Sequence, residues 1–319
     1  MTDRGETALP GPVLVIGCGL IGTSIALALT ETGTPVHLAD IRVANLELAV
    51  SRGAGSAEPI DDPVLVVVAV PPADVVATVT HALGEWPQAV VTDVASVKSG
   101  LQDQIGTANG SERYVGSHPM AGSERSGPMA ASARLFEGRP WAVTASSGAT
   151  PQAVALVVQL GGVVGGVPLV MDAAAHDRAV ALVSHVPHVL SVLTAARLND
   201  APVDHLALAG PGLRDVTRIA GSDIALKQDI LGANSDEVRS VLQLVRTDLD
   251  RVISAIGDDA VELGEVLRSG RDGTQLIPGK HGDKVAEFAT VFVSVPDQPG
   301  ELPRVLAHTG ESGVNIEDI

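Results

Sequence analysis

The sequence predicts an α/β fold, in which a parallel sheet flanked by helices is followed by an all-helical region and a short βαβ segment. Three observations predict it. The first half alternates β-branched runs with helical spacing, which is typical of a parallel sheet covered by helices. A G-x-G-x-x-G motif directly follows the first of those runs. Strand patterns then stop near residue 172, and only helical spacing continues to about residue 269.

The first half contains seven predicted strands. In chain order they are VLVIG (13–17), PVHLAD (35–40), VLVVVAV (64–70), AVVTDV (89–94), YVGSHP (114–119), WAVT (141–144) and GVPLVM (166–171). Nearly continuous valine and isoleucine indicates strands that are buried on both faces. We therefore expect helices on both sides of this sheet.

The change from strands to helices marks the main domain boundary. The sequence predicts a flexible N-terminus at 1–11, a Rossmann-type dinucleotide-binding domain at 12–171 and a helical domain at 172–270. A glycine-rich, charged linker at 271–283 precedes a last strand, helix and strand at 284–319.

Composition excludes several classes of protein. The formal net charge of −17 argues against nucleic-acid binding, which requires clustered Lys and Arg. No apolar run approaches the roughly 20 residues of a bilayer span, so we expect no membrane partner. The N-terminal residues lack the apolar core of a secretory signal, and Cys18 is the sole cysteine. Both facts predict a soluble protein of the reducing cytoplasm.

The glycine motif predicts a dinucleotide site. It lies between a strand and a helix, and Asp40 ends the second strand, as the dinucleotide fingerprint requires. Its glycines let the backbone approach a pyrophosphate at the helix N-terminus. An acid at position 40 favours NAD over NADP, although Arg42 is an alternative partner for a 2′-phosphate. The predicted cofactor-binding residues are Gly17, Gly19, Leu20, Ile21, Gly22, Asp40, Val70 and Pro71.

Ser96 and His118 are the candidate catalytic residues. Ligands bind at the carboxyl ends of the strands in an open parallel sheet. Ser96 follows the fourth predicted strand and His118 lies at the end of the fifth, so both are expected near the nicotinamide. A histidine accepts a hydroxyl proton near neutral pH. The alternative is a loop histidine that binds backbone carbonyls.

The helical half contributes polar residues at helical spacing. His185 and His188 lie three apart, hence on one face, and Pro187 between them is expected to kink the helix around a pocket. Metal ligands or buried structural histidines are the alternatives. Arg214 and Arg218 are four apart, and guanidinium groups bind carboxylates bidentately. An ordinary surface ion pair, in which Asp215 contacts Arg218, is the alternative.

These motifs together resemble one family. GCGLIGTS, TDVASVKSG, GSHPMAGSERSG, LFEGRPWAVT, HDRAVALVSHVPHVL and GLRDVTRIAGSD are similar, in this order, to the motifs of prephenate dehydrogenases of tyrosine biosynthesis. The resemblance covers residues 13–234. It implies an N-terminal NAD domain and a helical domain that forms a homodimer.

The resemblance also implies a reaction and roles. Prephenate would be oxidised by NAD and decarboxylated to 4-hydroxyphenylpyruvate, with His118 bonded to the substrate hydroxyl and Ser96 orienting it. Arg218 would hold a substrate carboxylate. The other implied pocket residues are Ser123, Glu124, Arg214, His185 and His188. The chain differs from many relatives in having Lys227 where an aromatic residue is frequent, which bears on the substrate it prefers.

The C-terminal segment resembles the start of an ACT domain, in DQPGEL and GVNIEDI. That resemblance implies tyrosine as a feedback effector. Because about half of such a domain is missing, we expect a truncated sequence or strands borrowed from another chain.

Alternative functions remain at this stage. The same chemistry on arogenate would give tyrosine directly. A β-hydroxyacid-type dehydrogenase shares the layout but uses a lysine of the helical domain. A catalytically silent sensor of NAD and amino acids belongs to a different class, and it would have no reason to retain Ser96, His118 and Arg218 together.

Overall fold

The computed structural model describes residues 8–122, 125–277, 291, 293–296 and 298–314. The chain forms two compact units, Met1–Glu262 and Leu263–Ile319. The first unit carries all the predicted strands up to residue 171 and most of the helical half.

Four parallel strands form the first sheet of the larger unit, in the order β2-β1-β3-β4. The strands are β1 (Val13–Ile16), β2 (Val36–Ala39), β3 (Leu65–Val68) and β4 (Val90–Asp93). The helices that connect and follow them are α1 (Leu20–Glu31), α2 (Val43–Ser51), α3 (Pro72–Glu85) and α4 (Ser99–Ile105). The predicted parallel sheet is confirmed for these strands.

Both faces of this sheet are buried, because successive side chains of a strand point in opposite directions. Val13 and Val15 face one core, where they are packed with residues of α1 such as Ile25. Leu14 faces the other core, which includes Val79 of α3. The continuous apolar runs follow from this double burial.

The remaining strands correct the prediction of a single parallel sheet. β5 (Gly116–Pro119), β6 (Pro140–Thr144) and β7 (Val167–Met171) form a second sheet, in which β5 is antiparallel to β6. A parallel pair needs a crossover connection, usually a helix. Between β5 and β6 the described chain contains one short 3₁₀ turn, Pro128–Ala130, and so β6 returns antiparallel.

A helical crossover restores parallel pairing after β6. Helix α5 (Pro151–Val163) leads to β7, which lies parallel to β6. A single parallel bridge between Val91 and Tyr114 joins the two sheets. Because β5 follows this bridge in the same direction as β4, their carboxyl ends lie at the same edge.

Helices follow β7, as the sequence predicts. The first are α6 (Ala173–Val180) and α7 (Val186–Ala196), with a π-helical turn at Ala181–His185 between them and a 3₁₀ turn at Arg197–Asp200 after them. Then come α8 (Val203–Leu206), α9 (Pro211–Thr217), a 3₁₀ turn at Arg218–Gly221, α10 (Ile224–Ala233), α11 (Ser235–Ala255) and α12 (Ala260–Thr274).

One helical stretch qualifies the statement that no segment suits a bilayer. Ala173–Asp200 is long and apolar enough, by length and composition alone, to cross a membrane, with a mean hydropathy of 1.6. Its buried residues His176, Asp177 and His185 hydrogen-bond to other elements of the larger unit. These contacts attach the stretch to the larger unit, and 33% of its most apolar window is buried.

The smaller unit contains helix α13 (Glu301–Glu311), where the sequence predicts a helix. The first predicted C-terminal strand falls partly outside the described residues, and its described residues 291 and 293–295 form no strand. Most of the last predicted strand, residues 315–319, also lies outside them.

Candidate active site

The glycine loop between β1 and α1 has the geometry that a dinucleotide requires. Gly17 adopts φ +104°, and a Cβ there would collide with the carbonyl of Ala69. A Cβ at Gly22 would collide with the carbonyl of Gly17, so this glycine lets helix and strand approach. Nothing lies within 4 Å of a Cβ at Gly19, at the N-terminus of α1. The open space at Gly19 is where a pyrophosphate would meet the helix N-terminus.

Asp40 lies beside this loop and is fixed by two backbone amides. Its carboxylate accepts hydrogen bonds from the N–H of Cys18 at 2.6 Å and of Arg42 at 2.7 Å. The side chain of Arg42 is exposed, and this residue precedes α2. Burial, and then the charge of Asp40, raise the pKa of the Cys18 thiol to about 12, so Cys18 stays neutral within the loop.

A buried ion pair anchors the loop after β4. Lys98 contacts Asp93 through its ammonium group, and both side chains are fully buried. The hydroxyl of Tyr114 donates to the same carboxylate at 2.7 Å, and so does the N–H of Ala95 at 2.8 Å. Burial lowers the pKa of Lys98, and the charge of Asp93 opposes that shift. This pair fixes both ends of the short loop that contains Ser96.

Ser96 is half-buried between these anchors. Among the described residues, none forms a hydrogen bond with its hydroxyl. The carboxylate of Asp177 accepts hydrogen bonds from the N–H groups of Lys98 at 2.9 Å and Ser99 at 2.8 Å. It thereby caps α4, which begins directly after this loop. The loop is therefore rigid while its serine hydroxyl remains available for a ligand.

His118 belongs to a chain of three side chains. Its Nδ1 lies 2.9 Å from Nε2 of His176, and Nδ1 of His176 lies 2.8 Å from the carboxylate of Asp177. His176 and Asp177 are 1% and 5% exposed, whereas His118 is half-buried. Burial alone would raise the pKa of Asp177. Hydrogen bonds from His176, Ser99 and Lys98 outweigh burial and lower it, so Asp177 is ionised.

This chain determines which nitrogen of His118 carries a proton. An ionised carboxylate only accepts, so Nδ1 of His176 must be the donor. A neutral His176 then has an unprotonated Nε2, which accepts from Nδ1 of His118. The remaining nitrogen of His118, Nε2, is left with a free lone pair. No described residue hydrogen-bonds to that Nε2, so His118 is arranged as a proton acceptor.

Electrostatics keep His118 neutral. Burial is the largest cause that lowers the pKa of His118 well below 6.5, and electrostatic interactions with His176, Lys98 and His185 add to it. Asp177 acts in the opposite direction. The imidazole is therefore in its basic form at neutral pH.

His185 and His188 lie close together in the helical half, as their spacing predicts. They are 3% and 7% exposed. His185 ends the π-helical turn that precedes Pro187, so the local distortion is a wider helical turn, and such turns are frequent at functional sites. Asn234 Nδ2 lies 3.2 Å from Nδ1 of His185 and donates to the carbonyl of Asp177 at 2.8 Å. Asn234 thus connects His185 to the chain that orients His118.

The charge of a lysine reaches both histidines. Burial, and then the charge of Lys227, lower the pKa of His185 to about 4. The same two causes lower the pKa of His188, against the effect of the Ile219 carbonyl. Both rings are therefore neutral at pH 7.

The two predicted arginines lie on neighbouring elements. Arg214 is in α9, and Arg218 begins the 3₁₀ turn directly after it. Both are exposed, and in the described part of the chain no ion pair links Arg218 to Asp215. This turn packs against α7, so Arg218 lies next to the element that carries His188. Ser123 and Glu124, the other predicted pocket residues, lie outside the described residues.

Sequence reasoning missed four residues of this arrangement. They are Lys98, His176, Asp177 and Asn234. The adjacent His176 and Asp177 form a signal, because they lie near the start of a helix that directly follows a strand, and a carboxylate frequently orients a histidine. Asp93 lies at the end of a predicted strand, where functional residues are expected. Lys98 gives no comparable signal, since charged residues are normally expected at the surface.

Comparisons with known proteins agree with this geometry. Two family models match the chain: "Prephenate dehydrogenase, nucleotide-binding domain" at residues 25–169 and "Prephenate dehydrogenase, dimerization domain" at residues 172–269. The probable prephenate dehydrogenase NovF of Streptomyces niveus is 35% identical over 321 residues, covering 96% of this chain and 88% of NovF.

Two solved structures have the same fold. Prephenate dehydrogenase from A. aeolicus in complex with hydroxyphenyl propionate and NAD⁺ matches with a TM-score of 0.76 and 27% identity, covering 83% of this chain and 97% of that one. Synechocystis arogenate dehydrogenase matches with a TM-score of 0.68 and 26% identity, covering 82% of this chain and 98% of that one.

Proposed function

Because the chain belongs to the prephenate dehydrogenase family, we propose that it catalyses the NAD-dependent oxidative decarboxylation of prephenate to 4-hydroxyphenylpyruvate, a step of tyrosine biosynthesis. One observation carries the proposal. The hydrogen-bonded chain from Asp177 through His176 leaves His118 with a free acceptor nitrogen. Strand β5, which carries His118, ends at the same edge as β4, and the glycine loop follows β1 at that edge.

The residues of the glycine loop fit NAD. The open space at Gly19 suits a pyrophosphate. Leu20 and Ile21 are the first residues of α1, and the N-terminus of this helix would face the pyrophosphate. The carboxylate of Asp40 would accept hydrogen bonds from the ribose hydroxyls and would repel a 2′-phosphate. Val70 and Pro71 follow β3 at the same edge and would border the cofactor. When bound, NAD supplies the acceptor for the hydride that leaves the substrate carbon.

His118 would perform the proton transfer. Its Nε2 accepts the proton of the C4 hydroxyl while the C4–H bond breaks, so that C4 becomes a carbonyl carbon. His176 accepts from Nδ1 throughout, and Asp177 stabilises the positive charge that reaches the histidine pair. The C1–carboxylate bond then breaks, CO₂ leaves, and its electron pair restores the aromatic ring. The C4 oxygen regains a proton, for which protonated His118 is placed as donor.

The remaining candidates would position the substrate. The hydroxyl of Ser96 has no hydrogen-bond partner among the described residues. It can therefore hydrogen-bond to the substrate hydroxyl and to the nicotinamide of NAD. Arg218, with Arg214 four residues before it, would bind a substrate carboxylate. His185 and His188 would line the pocket as neutral donors, and Ser123 and Glu124 would form its rim.

A parallel assay tests the substrate. The similarity to Synechocystis arogenate dehydrogenase makes arogenate the second candidate. We expect NADH formation with prephenate to exceed that with arogenate in kcat/KM. Faster turnover of arogenate would identify that substrate instead. NADH formation with neither compound would refute the proposed function.

A homodimer is part of the proposal. The match to a dimerization domain supports it, and so do exposed apolar side chains on the described helices, such as Leu193, Val216, Leu244 and Ile253. Burying them in a second copy would be favourable. Light scattering should give twice the chain mass, and a monomer would contradict the proposal. Localisation in the cytoplasm and inhibition by tyrosine are also proposed, the latter from the ACT-like motifs alone.

A further inference from the structure

Lys227 is a half-buried cation on α10. Within the described part of the chain it forms no ion pair with a carboxylate. Burial lowers its pKa, which means that the surrounding protein disfavours its charge. Partly buried charges are normally paired. A lysine without an ion-pair partner among the described residues is suited to an anionic ligand.

Helix α10 connects Lys227 to the active site through Asn234, which follows the last residue of the helix. Lys227, Ile230 and Asn234 follow one another at intervals of three and four residues, so they lie on one face of the helix. Ile230 is 6% exposed and packs into the core that includes residues of α3. Asn234 hydrogen-bonds to His185 and to the carbonyl of Asp177. Ile230 therefore fixes the helix against α3, and Asn234 places its end, two turns after Lys227, at the active-site residues.

Lys227 interacts with two histidines of the predicted pocket. Its charge acts on His185 and His188, both of which are neutral at pH 7. His185 also interacts with His118. His185 therefore connects the lysine with the proton-accepting histidine. If the C4 hydroxyl of a substrate meets His118, the C1 end of that substrate is the end that is free to reach Lys227.

We propose that Lys227 binds a carboxylate at the C1 end of the substrate and makes the pocket prefer prephenate to arogenate. This inference rests on the proposed function. Prephenate carries two carboxylates at that end and no cation. Arogenate carries the same carboxylates plus an ammonium group, which a neighbouring lysine would repel. At a partly buried site, such like charges cost more than they would in water.

The test compares Lys227→Gln with Lys227→Arg in both substrates. We expect Lys227→Gln to raise KM for prephenate at least about tenfold, the effect of a lost charged hydrogen bond, with kcat changed less than about threefold. KM for arogenate should rise less, so that the preference for prephenate shrinks. Lys227→Arg should retain most of the preference. Arg246→Gln, which removes an exposed charge from α11, is the matched control and should leave both KM values unchanged.

A second readout does not depend on turnover. Because the charge of Lys227 lowers the pKa of His185, that pKa, followed by NMR, should rise in Lys227→Gln. An unchanged KM for prephenate, or an unchanged preference between the substrates, would overturn the inference if the variant is folded. Those results would leave the proposed function intact, whereas a wild-type enzyme inactive on both substrates would refute that function itself.

Discussion

Replacing Asp177 with alanine tests how the protein sets the proton position on His118. In the intact chain the carboxylate forces a proton onto Nδ1 of His176 and thereby makes its Nε2 an acceptor for His118. Without the carboxylate, His176 is free to carry its proton on Nε2 and donate it to Nδ1 of His118. The proton of His118 would then lie on Nε2, where it blocks acceptance of the substrate proton.

The magnitude follows from two separate losses. Loss of the basic form of His118 should lower kcat by about 10² to 10⁴, the range for a general base and for the orienting acid of a catalytic triad. Loss of the cap on α4, where Asp177 accepts two N–H groups, should lower the free energy of unfolding by about 1 kcal/mol. Asp177→Asn should lower kcat to a similar extent, because an amide presents an NH₂ donor in place of one of the two oxygens that accept from His176, Lys98 and Ser99.

The assay is NADH formation at saturating prephenate, together with urea unfolding. Asp172→Ala is the matched control, because Asp172 caps the next helix by accepting the N–H of Ala175 at 2.7 Å but contacts no histidine. It should lose about 1 kcal/mol of stability through its helix cap and keep kcat within about twofold. A folded Asp177→Ala variant with nearly wild-type kcat would refute the reasoning. An equal loss of kcat in the control would assign the effect to helix stability.

Three further predictions concern other parts of the site. Because the pKa of His118 is lowered and the neutral ring is the active form, kcat/KM should fall with decreasing pH only below about pH 6.5; an acidic limb centred above pH 7 would contradict this. Arg218→Ala should raise KM for prephenate about tenfold or more with little change in kcat, and an unchanged KM would return Arg218 to the surface-charge interpretation. Asp40→Ala should weaken NAD binding about tenfold, measured by calorimetry, and reduce the discrimination against NADP; equal NAD affinity would exclude Asp40 from the cofactor site.

Local patterns were sufficient to predict the elements that local physics determines. The valine-rich runs identify β1, β3 and β4 because strands buried on both faces must be apolar throughout. The glycine motif predicted the dinucleotide loop correctly in position, because the steric constraints at Gly17 and Gly22 act between residues that are close in sequence or that follow adjacent strands. The end of the strand pattern near residue 172 likewise coincides with the start of α6.

The features that could not be predicted from the sequence depend on tertiary contacts. The antiparallel direction of β5 depends on the path of the loop after Pro119, and no residue pattern in the strand itself records that direction. The pairing of His118 with His176 joins side chains 58 positions apart. Asp93 and Lys98 are buried although charged residues are normally expected at the surface. The fold permits this because it brings the two opposite charges together as a pair.

The replacement His118→Asn tests the central claim most directly, when kcat and the dissociation constant of NAD are measured on the same folded preparation. An asparagine cannot act as a general base, so we predict that kcat falls at least about 100-fold while NAD binding stays within about twofold of wild type. Turnover close to that of the wild type would contradict the account, because His118 would then not be the group that accepts the substrate proton.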